Sequence, residues 1–579
     1  MKKILVILLI NVFLINKPVF AISKDVPQNE KIKLENIYSE IDSLENINYN
    51  NLLNRAYLYS NIGKIDKSIE IANILLEKNK EDSALFFLLG KNYKNKCELN
   101  KAKVFFQKIK EEQKEYNQAL VKLMEIAVLL DDKQDANIIL QKIENTKNQE
   151  FIYLIGSIYY YSHFDLNFDK ASDILEKGLI LNSKNTDLIF YLASVNLTKD
   201  NRKEAKKLFK KVIELDFLYD QAHAFLSFVE FLDKNFDKSF HESKIALEIN
   251  PYNLRALTNL GNGMTTKNYK LLEESNSNLK ANEEFFLAGK KSYELINNGK
   301  IKEANELIDN IVKKYPDNIH SYIHLCSLKA DFLDYDSAIK YCKKAIDISE
   351  DYGLAYNLTE NTLRKYIKYQ IKDSKTLNVD IYDYSSIDIN LLKKVFINYD
   401  FLDKKDQKTL MYSIYNLRKF LPILEKKGAT HYIIPHYEKM TDTEKTKYLK
   451  NELTMDGRLW DDVRGMGGLD SATGIEDLEE SLYFDFNTLT HEFAHQIHQY
   501  ALEDKQIEKI KELYEKAKKN NTFIDYYSST NEYEYFAQAI EAYSSTQGKK
   551  NPKSTAKNTP EILKKTDPDI YDFVEKLVK

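Results

Sequence analysis

Small side chains recur at an almost fixed interval over more than half of this chain, and that period limits the folds open to it. Ala102, Ala136, Ala171, Ala205 and Ser239 are separated by 34, 35, 34 and 34 residues, and Ala304 and Ala338 again by 34. Twelve residues before several of them stands another small side chain, as at Gly90, Ala193, Ser227 and Cys326. Four residues after them comes a packing residue such as Phe106, Leu140, Leu175 or Phe209. Pro251 and Pro316 fall where a helix should stop. A repeat of this length cannot bury its apolar face alone, so stacking is required. Apolar residues make up 43 % of the chain, enough for several cores, and only 16 Gly and 9 Pro occur, which disfavours turn-rich all-β folds.

This pattern resembles tetratricopeptide repeats, helix–turn–helix units whose small residues mark close helix crossings. The resemblance covers 46–372 and implies a curved solenoid with a concave groove. Its occupant is an extended peptide, a protein helix or the protein's own second half. From Gly156 to Ala171 the interval is fifteen, so that unit carries a three-residue insertion in its turn. The pattern fails at 263–284, where an irregular repeat or kink is expected.

Ahead of the repeats, Lys2 and Lys3 precede an apolar run at 4–15, and Val19 and Ala21 offer small residues for cleavage. Residues 1–21 therefore read as a signal peptide, and the protein as secreted, either free or attached to the cell surface. Twelve residues of helix span about 18 Å, short of a bilayer core of about 30 Å. No later stretch is apolar enough to cross a membrane. Residues 22–45 are expected to be a linker. Acids outnumber bases by 88 to 84, which excludes a general nucleic-acid binder. Of three cysteines, Cys97 stands alone, and Cys326 and Cys342 are expected to be buried free thiols. No CxxC occurs, so a cysteine zinc site is excluded.

After 372 the period stops. Residues 373–388 read as a linker and 389–579 as a second domain, helical at 389–426, with a short strand at 431–435. Arg464 opens a glycine cluster, Gly465, Gly467 and Gly468, which in a glycine-poor chain signals close backbone approach. Then comes His491-Glu492-Phe493-Ala494-His495, an HExxH motif. Positions i and i+4 share a helical face, so both imidazoles can reach one metal ion, with Glu492 placed to take a proton from water. With ten His and 88 acids in 579 residues, chance supplies about 0.03 such matches. Leu489, Phe493, Ile497 and Tyr500 form an apolar stripe that argues against a surface helix. A third ligand is needed, and both His498 and Glu534 are candidates.

HEFAH followed by Tyr527, Thr530, Asn531 and Glu534-Tyr535-Phe536-Ala537 is similar to the zinc peptidase domain of anthrax lethal factor and the related secreted Pro-Pro endopeptidases. The resemblance covers roughly the last 180 residues. It implies His491, His495 and Glu534 as ligands of one Zn²⁺ per chain, Glu492 as general base and Tyr527 as oxyanion donor. It favours Glu534 over His498 and Tyr527 over Tyr526. Gln538 departs from the glutamate often found there in relatives. His320 and His324 lack an intervening Glu and read as solvated or groove-lining, His431 and His436 carry no chemistry, and Trp460 is a packing residue.

The expected fold is mainly α with a smaller α+β part: a tetratricopeptide-like solenoid followed by a zincin-like domain. The expected function is a secreted zinc metalloendopeptidase acting on protein or peptide, with a protein partner in the repeat groove. The alternative is a repeat-based binding module keeping an inactive peptidase domain as scaffold.

Overall fold

A computed structural model describes residues 28–43, 48–162, 164–266, 279–371, 382–435, 438–454, 459–481, 486–525, 527–544 and 559–579. The signal peptide expected at 1–21 lies outside them, as do 373–381 of the expected second linker. Within 22–45, expected to be a linker, lies a helix, Gln28–Ser43. Its apolar residues recur at helical spacing: Leu34 packs with Ile245 and Ile249, and Ile41 with Tyr59 and Ile62.

The chain is mostly helical and its first part is a tetratricopeptide-like solenoid. Six helix pairs follow one another: Tyr49–Asn61 with Ile65–Lys78, Ser83–Asn95 with Leu99–Gln107, Tyr116–Leu129 with Lys133–Thr146, Gln149–Tyr161 with Phe168–Leu181, Thr186–Thr198 with Arg202–Leu215, and Asp220–Leu232 with Phe236–Ile249. Several first helices start at a side-chain cap. Asp82 accepts the N–H groups of Ala84 and Leu85, and Asn185 that of Leu188. Ala102, Ala136, Ala171 and Ala205 are completely buried where helices cross. At Gly90 a Cβ would sit 2.7 Å from the Phe106 ring, so only the smallest residue fits.

The period breaks because helix Leu254–Thr266, which packs on Phe236–Ile249 before it, forms no hairpin with the next described helix, Leu279–Asn297. It packs along Gly353–Tyr369 instead. Gly261 lies so close to Asn357 and to the Gly353 carbonyl that no Cβ would fit. Two hairpins occupy the chain between: Leu279–Asn297 with Ile301–Lys314, and Ile319–Asp331 with Tyr335–Ile348. Cys326 and Cys342, expected to be free thiols, are joined as a disulfide with Cα atoms 5.1 Å apart, while Cys97 is free and buried.

The solenoid also curls until its ends meet. Gly63, in the first pair's turn, lies against Glu248 O and Pro251 of the sixth. Gln370 Nε2 donates to Cys97 O at 2.6 Å, and the Asn100 N–H donates to Gln370 Oε1 at 3.1 Å. Leu99, Tyr252, Tyr356 and Ile367 share one core across this seam.

The second region has its own core, running from Ile387 to Leu577. Its three-stranded sheet has the order β1-β3-β2, with β1 at Thr430–Ile434, β2 at Gly465–Met466 and β3 at Asp470–Gly474. β1 and β3 are parallel; β2 is antiparallel to β3 and forms an edge. Gly468, at φ +138°, allows the tight return from β2 to β3. Under the sheet runs helix Thr488–Tyr500, packed against Glu532–Ser544. The two regions touch through a largely buried ion pair, Lys365 Nζ to Glu479 Oε2 at 2.7 Å, and through Tyr293 against Phe401.

Candidate metal centre

The helix Thr488–Tyr500 carries His491, Glu492 and His495, and its start is fixed by a polar cluster. The Asn487 side chain accepts the Thr490 N–H at 3.0 Å, and the Asn487 N–H donates to Glu541 Oε1 at 2.9 Å. The Thr490 hydroxyl donates to Ser413 O at 2.8 Å. Leu489, Phe493, Ala494 and Ile497 are completely buried. Burying a Leu, Ile or Phe contributes about 1.5–3 kcal/mol, so this stripe sets the rotation of the helix and turns the histidines to one side.

His491 Nε2 lies 3.1 Å from His495 Nε2 and 3.1 Å from Glu534 Oε2, which is itself 3.3 Å from His495 Nε2. Among the described residues this is the one group of three or more potential ligands whose donor atoms converge, all within 4.8 Å. Burial would lift the Glu534 carboxyl, but the two imidazoles hold it well below the carboxylate range. Burial would likewise lower His495, yet the carboxylates of Glu534 and Glu492 raise it. The pocket therefore favours positive charge. Two ring nitrogens and one carboxylate oxygen aimed at one point are the donor set of an open, three-ligand zinc site, and the residues fit that ion.

The other sequence candidates fall as follows. Tyr527 donates its hydroxyl to Glu534 Oε1 at 3.3 Å, and its ring centre lies 6.2 Å from that of His491. Tyr526 lies outside the described residues, as does His436. His498 is buried between Tyr533 and Phe536, with ring centroids at 4.9 and 5.0 Å, and is not in the converging group. Burial and the neighbouring His495 pull its basicity down to about 4. His324 accepts or donates at Ser292 Oγ, 3.0 Å away, and His320 packs on Phe285, so both serve the solenoid interior. Half-buried Trp460 packs beside Ile434, Met440 and Val463. Gln538 is buried.

The glycine cluster meets the metal helix directly. A Cβ on Gly465 would lie 2.6 Å from Glu492 Oε1, and one on Gly467 would lie 2.5 Å from His495 Cβ. The edge strand thus passes beside the base and one ligand. Three residues that the motif did not single out hold it there. Arg464 binds Glu476 through two bonds, at 2.6 and 2.9 Å, and donates to the carbonyls of Glu438, Ile434 and Pro435. Gln496 Nε2 donates to Thr430 O at 2.8 Å and Leu469 O at 3.1 Å, clipping the sheet to the helix. His431, wholly buried, meets Thr473 Oγ1 at 2.9 Å and Gln496 Oε1 at 3.4 Å. The only signal for Gln496 in the sequence is a polar side chain beside the metal histidine.

No family model matches the chain, and no curated protein matches it either. Among solved structures, the APC/C hetero-tetramer Cut9-Hcn1 is 10 % identical, with a TM-score of 0.35, covering 57 % of this chain and 66 % of that one. This chain therefore spans just under two thirds of that neighbour. A thermophilic TPR protein from Thermus thermophilus is 14 % identical, with a TM-score of 0.22, covering 36 % of this chain and 94 % of its own. YrrB, titled a TPR protein with an unusual peptide-binding site, is 16 % identical, with a TM-score of 0.16, covering 40 % and 96 %. Scores this low carry no argument about the metal centre; the repeat architecture rests on the helix pairs themselves.

Proposed function

We propose that this protein is a secreted zinc metalloendopeptidase whose repeat solenoid binds a protein or peptide. The observation that carries the reading is the convergence of His491, His495 and Glu534 beside Glu492. Zinc held by those three residues would acidify a bound water and polarise the scissile carbonyl. Glu492 takes the proton of the attacking water and returns it to the leaving amine. Tyr527, already hydrogen-bonded beside the ligands, turns its hydroxyl to the developing oxyanion. Substrate lies extended along β2, whose edge presents backbone groups next to the base.

A second reading, a repeat-based protein-binding module with an inactive peptidase domain as scaffold, stands nearer to the comparisons, two of whose neighbours are titled TPR proteins. One experiment separates the two. Wild type and Glu492→Gln are loaded with zinc, the metal is quantified, and both are incubated with a broad peptide library under mass spectrometry. The peptidase reading expects one zinc in each protein, cleavage by wild type, and a loss of about 10²–10⁴-fold in the variant. Equal inertness of both zinc-loaded proteins establishes the scaffold.

A further inference from the structure

The helix that closes the solenoid, Gly353–Tyr369, also grips the metal domain. It is fixed along its length. Near its start the Tyr356 hydroxyl accepts from Lys244 Nζ at 3.2 Å. At its middle Thr362 Oγ1 lies 3.3 Å from Cys326 Sγ and 3.6 Å from Cys342 Sγ, against the disulfide. Just past its end Gln370 bonds across the seam to Cys97 and Asn100. From this braced helix Lys365 reaches out of the solenoid to Glu479, with only 9 % and 14 % of the two side chains exposed. A cavity of about 250 Å³ opens beside the pair, walled by Tyr293, Phe332 and Tyr335 of the solenoid and by Phe401, Asp406 and Ile475 of the metal domain. The regions are therefore coupled here through discrete contacts, this ion pair and Tyr293 against Phe401, instead of a shared buried core.

Glu479 stands on Ile475–Glu480, a short helix that continues directly from β3. Three residues earlier, and so on the same face, is Glu476, which holds Arg464 through two bonds. Arg464 leads into β2. Its carbonyl accepts the Gly474 N–H at 2.6 Å, and Gly465 after it runs beside Glu492. Gly474 is pressed closely against the Arg464–Glu476 pair: a Cβ there would lie 2.9 Å from the Glu476 carboxyl carbon and 3.0 Å from Arg464 Nε. With no slack at that point, a tilt of the short helix moves the edge strand.

We infer that Lys365, a solenoid residue, is a positioning residue of the peptidase: through Glu479 and the Glu476–Arg464 pair it sets the edge strand β2 where substrate is held beside Glu492. The role deepens the peptidase reading and rests on it. Removing the ammonium leaves a largely buried carboxylate without this partner, an arrangement that strongly destabilises its surroundings. Glu479 turns towards water, the short helix tilts with it, and β2 is drawn off the metal helix. The ligands His491, His495 and Glu534 stand on Thr488–Tyr500 and Glu532–Ser544, outside this path, so zinc ligation is spared. The loss falls on substrate binding and not on the chemical step.

The test compares full-length, zinc-loaded wild type with Lys365→Met, Lys365→Arg and Glu479→Gln. Kinetics are measured on a peptide that wild type cleaves, bound zinc is quantified, and hydrogen exchange is followed at 464–474. Lys365→Met is expected to raise KM about tenfold with kcat and zinc content held, and to speed exchange at 464–474. Lys365→Arg keeps KM near wild type. Glu479→Gln raises KM in the same direction, and it decides the matter if Lys365→Met does not fold. Wild-type KM in both charge-removing variants, a fall in kcat with KM unchanged, or unaltered exchange at 464–474 overturns the inference and leaves the peptidase standing. A KM in Lys365→Arg as high as in Lys365→Met overturns it too, since packing alone would then explain the effect. Zinc-loaded wild type that cleaves no peptide of the library overturns the peptidase reading and this role with it.

Discussion

The solenoid and the metal domain are specified in opposite ways. In the solenoid a small residue, Ala or Ser, recurs at the crossings, and each helix pair depends chiefly on its neighbours. In the metal domain residues from many separate segments meet around one core, and buried polar side chains such as His431, Glu476 and Gln496 tie them together. A repeat array spreads its stability along the chain. A site built from convergence concentrates both function and vulnerability in a few positions.

Substitutions should expose this contrast. The largest effect is expected at Gly467, where a Cβ would collide with the backbone side of His495. Gly467→Val should displace that ligand and lower peptide cleavage by about 10²-fold or more, since errors of about 1 Å in positioned groups cost that much. Zinc retention and initial rates check it, with circular dichroism showing the helices intact.

Next comes Arg464→Leu, which leaves the buried Glu476 carboxylate without its bidentate partner. Breaking such a pair costs about 3–5 kcal/mol. Scanning calorimetry should show the metal domain melting earlier while the solenoid transition stays in place. A joint shift of both transitions would mean that the two regions unfold as one unit.

In the repeats, Ala205→Leu forces extra volume into a close crossing and should cost about 1–3 kcal/mol. Hydrogen exchange should rise in the adjoining helix pairs and not in the metal domain.

The last effect appears only on acidification. Burial lowers His431 to about 3, against an ordinary value near 6.5, so between those values the unfolded chain binds a proton that the folded chain does not. Stability therefore falls as pH drops from about 6.5 towards 3. Melting temperature against pH should be flatter in that window for His431→Asn.

What the sequence made legible follows the same division. The period disclosed the helix pairs, because the need for small residues at crossings is local and repeats. The HExxH spacing placed two histidines on one face, because i and i+4 are geometry within a single helix. The choice of Glu534 needed a family resemblance, since nothing local relates position 534 to 491. Hidden entirely were the roles of Arg464 and Gln496, whose bonds go to backbone carbonyls of distant segments and leave no trace in residue type. The helix at Gln28–Ser43 reads as linker in sequence because its apolar stripe makes sense only once both ends of the solenoid lie beside it. The disulfide is not legible in sequence because spacing does not report how two helices face each other.

Helix Leu254–Thr266 finds its mate in Gly353–Tyr369, roughly ninety residues further on. During synthesis at ~5–20 residues per second it must wait roughly 4–17 s before that mate emerges. The face that meets Gly353–Tyr369 is uncovered for that time, while its other side already packs on Asp220–Leu232 and Phe236–Ile249. Closure of the solenoid is thus timed by the rate of synthesis.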